Sequence, residues 1–112
     1  MTAGCQTCLE PPFLRSDFDS TFVGVDDQSG RFGEVRIEQC QSCGRRWLTY
    51  FFEIEGITES GRWYRGEIGP DDGTPLAPTA ALAIIGNLEW YFVGGSYYRS
   101  EGTRTSGEIR RP

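Results

Sequence analysis

Two C-x-x-C pairs, Cys5-Gln-Thr-Cys8 and Cys40-Gln-Ser-Cys43, contain all four cysteines of this 112-residue chain. They limit what it can fold into more than any other feature. Two residues between cysteines let both sulfurs turn toward one point while the intervening backbone N–H groups face them and offset their charge. Gly44 follows the second pair and supplies the positive φ that closes such a turn. Two turns of this kind bring four sulfurs into a tetrahedron, which suits Zn²⁺ or a single thiolate-bound iron. Thirty-one residues, Leu9 to Gln39, separate the pairs, more than the roughly 15–20 of the common four-cysteine spacing. An inserted hairpin accounts for the excess. The first pair has no following glycine and is the less developed half.

Cys5, Cys8, Cys40, Cys43 and Gly44 together resemble the zinc-ribbon class, in which paired cysteine knuckles sit on β-hairpins. The resemblance covers Cys5 to about Tyr50, less than half of the chain. It implies one structural Zn²⁺ per chain, held by Cys5, Cys8, Cys40 and Cys43, and it carries no biological role, because ribbons serve many. Two disulfides, four unrelated thiols and a rubredoxin-like iron centre are the competing readings of the same cysteines.

At 112 residues the chain is expected to be one domain with a modest core helped by a metal staple. Residues 1–95 form that domain and 96–112 a polar tail. Met1-Thr-Ala-Gly-Cys5 has neither a basic nor an apolar signal region. The weakly charged stretch Pro75–Leu88 is shorter than the roughly 20 apolar residues of a membrane span. A cytoplasmic location without membrane association is the expectation, and reduced thiols there favour metal over disulfides.

Charge argues against nucleic acid as the partner. The chain has 16 acidic residues against 11 basic ones, all 11 of them Arg. Residues 1–60 hold ten acids and five arginines, whereas 61–112 hold six of each. A zinc tetrathiolate adds about −2 to the half that is already negative. A phosphate-tracking surface needs clustered cations. The alternative, a zinc-ribbon nucleic-acid binder, rests on Arg45-Arg46-Trp47 and Arg62-Trp63-Tyr64-Arg65, which mix Arg with aromatics as single-strand binders do. Pairing of these arginines with Glu34, Glu38 or Glu67 across strands, with the Trp rings buried, is the competing account.

What is missing bears on catalysis. There is no His and no Lys, hence no imidazole base, no Schiff base and no P-loop lysine. Four thiols committed to a metal leave no thiol nucleophile, and a closed site leaves no position for activating water. The carboxylate pairs Asp17/Asp19, Asp26/Asp27, Glu53/Glu55 and Asp71/Asp72 remain, and such pairs usually mark turns or one strand face. No catalytic residue is assigned. A non-enzymatic protein-interaction or adaptor module is the expected role.

The fold is expected to be mainly β with an α component: a small antiparallel meander, the knuckle pair, and one C-terminal helix. Turn residues Asp26–Gly30 separate strands Thr21–Val25 and Arg31–Gln39, and the knuckle then reverses the chain into Arg45–Glu55. Leu48, Tyr50, Phe52 and Ile54 face one side of that strand, with Trp47, Thr49, Phe51 and Glu53 on the other. Aromatics on both faces predict a central strand covered on both sides. Arg62–Ile68 pairs back. Thr79 is the expected N-cap of a helix running to Val93 and stopped by Gly94-Gly95, with Ala81, Ile84, Ile85, Leu88 and Phe92 as its buried stripe. Gly86 weakens it. Leu82, Trp90, Tyr91 and Val93 fall outside the stripe, so either the helix contributes to an interface, most simply a homodimer, or the loop 69–78 or the Tyr97-Tyr98 segment folds over them. Arg99, Arg104, Arg110 and Arg111 belong to the tail, read as a solvated extension or an arginine arm for an acidic partner or nucleic acid.

Overall fold

A computed structural model describes residues 6–9, 13, 15–27, 33–52, 61–69, 77–95, 102–107 and 109. The elements are α1 (Gln6–Leu9), β1 (Phe18–Asp26), β2 (Gly33–Cys40), β3 (Arg46–Phe52), β4 (Arg62–Ile68), α2 (Ala81–Gly86), β5 (Tyr91–Gly94) and β6 (Thr103–Thr105), with 3-10 turns at Arg15–Asp17 and Pro78–Ala80. The six strands form one antiparallel sheet in chain order, β1-β2-β3-β4-β5-β6. The expected meander is therefore present and extends by two strands at its C-terminal side. The β1–β2 pair lies between the two cysteine pairs and supplies the inserted hairpin that their spacing required.

Strand periodicity divides the apolar residues between the two faces of this single sheet. Val35 and Ile37 of β2, Leu48, Tyr50 and Phe52 of β3, Tyr64 and Ile68 of β4 and Tyr91 of β5 form one core, covered by Ala81, Leu82 and Ile85 of α2. On the opposite face Cys40, Trp47, Trp63 and Phe92 form a second core with Phe18, and its cover is Cys8 and Phe13 from the N-terminal segment. β3 lies between β2 and β4 and is buried along most of its length, as its two aromatic faces imply. Ring packing in the second core is edge-on: Phe13 meets Trp63 at 5.9 Å and Phe92 at 5.0 Å, at interplanar angles of 84° and 62°, geometries that aromatic quadrupoles favour.

The long C-terminal helix is a correction. Thr79 lies inside the opening 3-10 turn and not at an N-cap, and α2 ends at Gly86, with the Asn87 N–H bonded back to the carbonyls of Ala83 and Ile84. Gly86 costs about 1 kcal/mol against Ala in a helix interior, and the residues that follow gain more by pairing. Tyr91-Phe-Val-Gly94 has strong strand preference and hydrogen-bonds to β4, with Phe92 opposite Arg65 and Val93 opposite Tyr64. Phe92 therefore leaves the expected helical stripe for the other face of the sheet. The apolar residues that the helical reading left over make contacts within the chain, Val93 against the first core. Leu82 and Tyr91 are buried, and Trp90 packs on Trp47 and Phe92 with the Arg104 guanidinium 4.3 Å above its ring.

The tail also differs from expectation. Thr103–Thr105 continues the sheet beside β5, and the Tyr91 hydroxyl donates to the Gly107 carbonyl at 2.8 Å. Gly94 and Gly102 accept the Trp63 ring, which lies where a Cβ on either would stand, 2.2 and 2.5 Å from the nearest ring atom. The strand ends expected at Ile54 and Glu55, the turn tip 28–30 and the loop 70–76 lie outside the described residues.

Candidate metal centre

Three cysteines converge at one end of the second core. Cys40 is the last residue of β2, Cys43 closes the turn that follows, and Cys8 comes from α1. Their sulfurs all lie within 4.8 Å of one another. Cys8 and Cys43 are 3.4 Å apart, well beyond the roughly 2.05 Å of a disulfide. Four sulfurs each about 2.3 Å from a zinc ion stand about 3.8 Å apart in a regular tetrahedron, so the three thiols are near enough to one another to hold a metal ion. Cys5, the fourth expected ligand, lies outside the described residues.

Backbone geometry explains the second half of the site. The Gly44 N–H donates to the Cys40 carbonyl at 2.9 Å, and the Cys40 N–H donates to the Arg45 carbonyl at 2.8 Å, closing a tight loop around residues 41–44. Gly44 has φ of 81°, a value that disfavours residues bearing a Cβ. The Gln41 N–H donates to the Asp17 carbonyl at 3.0 Å and joins this loop to the start of β1. The first half is built differently from the ribbon pattern. Cys8 stands on a helical turn, not on a β-hairpin, so the two-hairpin arrangement expected from the resemblance is replaced here by helix against hairpin.

The thiols are largely withdrawn from water: Cys8 and Cys40 are buried and Cys43 is partly so. One cation reaches them. Arg45 Nη1 is 3.8 Å from Cys8 Sγ, and its Nε is 3.4 Å from a Glu67 carboxylate oxygen. The hydrogen bond to Cys8, opposed by partial desolvation and supported by the charges of Glu67, Cys8 and Cys43, pushes the Arg45 guanidinium above its ordinary value. A guanidinium that stays protonated at all relevant pH thus faces the sulfur cluster.

Behind the thiols lies a second charged feature, which the sequence suggested only in outline. Arg65 on β4 is fully buried and donates to Glu38 on β2 at 2.5 Å. The pair spans two strand spacings, about 9.6 Å, across β3. Thr49, directly opposite Arg65 on β3, is the smallest side chain on that face and leaves room for the arginine to cross. The guanidinium is stacked by Phe18 at 4.3 Å, Phe13 at 4.4 Å and Trp47 at 5.2 Å. Cross-strand pairing was expected for these arginines, but a buried aromatic box around one of them was not. Its sequence signal is Phe13 and Phe18, two aromatics in a stretch that periodicity alone leaves unassigned.

The other candidates are placed as follows. Trp47 and Trp63 are buried, so the arginine–aromatic strands present no exposed rings for stacking on bases. Asp26 is buried and accepts the Tyr50 hydroxyl at 2.7 Å, while Asp19 accepts from Gln41 Nε2 at 3.1 Å. Glu53/Glu55 and Asp71/Asp72 lie outside the described residues. Among the described residues no helix is long and apolar enough to cross a membrane. No protein-family model, curated protein or solved structure matches the chain.

Proposed function

We propose that this chain is a non-enzymatic binding module built on a structural zinc centre, with Cys5, Cys8, Cys40 and Cys43 as ligands. The convergence of three thiols from α1 and the β2–β3 turn carries the reading. All-sulfur donor sets suit zinc, and a four-thiolate site is closed to substrate. Cys5 precedes Cys8 by three residues, the C-x-x-C spacing of paired metal ligands. In this role the metal clamps the N-terminal segment over the second aromatic core. Protein purified without added metal should contain about one zinc per chain by elemental analysis. A metal-free native protein, one carrying disulfides, or a red iron-loaded one would contradict the proposal.

Protein recognition is the second part of the proposal, and β1 supports it. Among the described residues this nine-residue strand terminates the sheet and carries Phe22 and Val25, the exposed large apolar side chains. An edge strand offers main-chain hydrogen bonds as well as side chains to a partner. Affinity capture from native cells should retain a protein on the wild type that is lost with Phe22→Asp. Equal retention by the two would remove β1 as the recognition surface.

A further inference from the structure

The charge at the sulfur cluster raises a question that the ligand set does not answer. A dication with four thiolates carries about −2, and the cluster is largely buried in a chain whose first sixty residues are already acidic. Arg45 is placed to answer it. Its main chain is part of the second cysteine loop, because its carbonyl accepts the Cys40 N–H at 2.8 Å. Its side chain turns back to the thiol of the first pair, 3.8 Å from Cys8 Sγ. Glu67 holds the other edge of the guanidinium at Nε, 3.4 Å away. The planar fork of Arg meets a sulfur and a carboxylate at once.

We propose that Arg45 is an outer-sphere partner of the metal centre whose positive charge, directed at Cys8 by Glu67, tightens metal retention. This inference rests on the metal reading above. A site loaded with a dication on four thiolates is anionic, and a cation held 3.8 Å from one of its sulfurs stabilises that charge. Partial burial strengthens the effect: the Arg45 side chain keeps only 20% of its surface exposed. Arg45 touches no substrate and binds no metal; it acts through Cys8. Because it belongs to the second loop and reaches the first thiol, it also couples the two halves of the site.

Cobalt(II) titration under chelator competition tests this, since thiolate-bound cobalt has a near-ultraviolet charge-transfer band that reports the electron density on sulfur. Arg45→Gln should weaken cobalt binding by about tenfold, the lower end of what outer-shell changes cost, and should shift that band to longer wavelength. Arg45→Lys, which keeps the charge, should recover most of the affinity. The near-ultraviolet circular dichroism of Trp47 and Trp63 monitors the fold of each variant. If wild type loads cobalt and Arg45→Gln matches it in affinity and band position, Arg45 has no such role. Equal weakening by Gln and Lys would assign the effect to shape and likewise overturn the proposal. A wild type with no thiolate–cobalt band overturns the metal reading itself and this inference with it.

Discussion

Cys40→Ser should lose the metal and lower the stability of the domain by about 5 kcal/mol or more, because metal binding and folding are coupled. Cys40 ends β2, lies opposite Phe18 and is buried in the second core, so its loss removes a ligand and leaves a polar hydroxyl among aromatics. Thermal melts of the wild type with and without a strong chelator should show a large shift, and Cys40→Ser should melt at the chelated temperature and ignore the chelator. Two cores on one sheet make the outcome graded and not all-or-none. The face covered by α2 does not contain Cys8, Cys40 or Cys43, so hydrogen exchange should rise first in α1 and in the strand ends near the thiols. Cys5→Ser should release the metal with a smaller loss of stability, since Cys40 also contributes cross-strand pairing and burial in the second core.

The second large effect belongs to the buried ion pair. Removing one partner of such a pair leaves an uncompensated charge in the interior and costs roughly 3–5 kcal/mol. Glu38→Gln and Arg65→Met should each fall in that range by chemical denaturation. Arg65→Met should be the more damaging, because Phe13, Phe18 and Trp47 lose the cation they stack upon. Glu38→Leu combined with Arg65→Met should recover much of the loss, as apolar replacement of whole buried pairs often does. Single-variant costs below about 1 kcal/mol would mean that the pair is hydrated in solution and not the interior anchor described above.

How much of this was legible beforehand depended on whether the signal was local. β4 spans Arg62–Ile68 as expected, and the alternating faces of β3 place Leu48, Tyr50 and Phe52 in one core and Trp47 and Phe51 in the other. Both conclusions follow from the two-residue period of a strand. The run from Ala81 to Val93 misled because its apolar spacing satisfies a helix, while Tyr91-Phe-Val also satisfies a strand. Only the waiting edge of β4 decides between them, and that is a tertiary fact. Thr103–Thr105 joins the sheet for the same reason: polar exposed residues give no pattern, but β5 offers them hydrogen-bond partners.

At the thiols, spacing alone was enough to bring Cys8, Cys40 and Cys43 together. It did not reveal that Cys8 stands on a helical turn, because C-x-x-C satisfies a knuckle and a turn of helix equally. Nor did it single out Arg45, whose neighbours Arg46 and Trp47 drew it into a nucleic-acid pattern. Its approach to Cys8 becomes visible only when residues 37 positions apart meet. The buried Arg65 was harder still, since Glu38 reaches it over an intervening strand and not from the neighbouring one.

X-ray absorption at the zinc edge, on protein purified without added metal, tests the central claim most directly. One zinc with four sulfur scatterers at about 2.3 Å is the expected result. A shell containing nitrogen or oxygen, fewer than four sulfurs, or no bound zinc would contradict the closed four-cysteine centre.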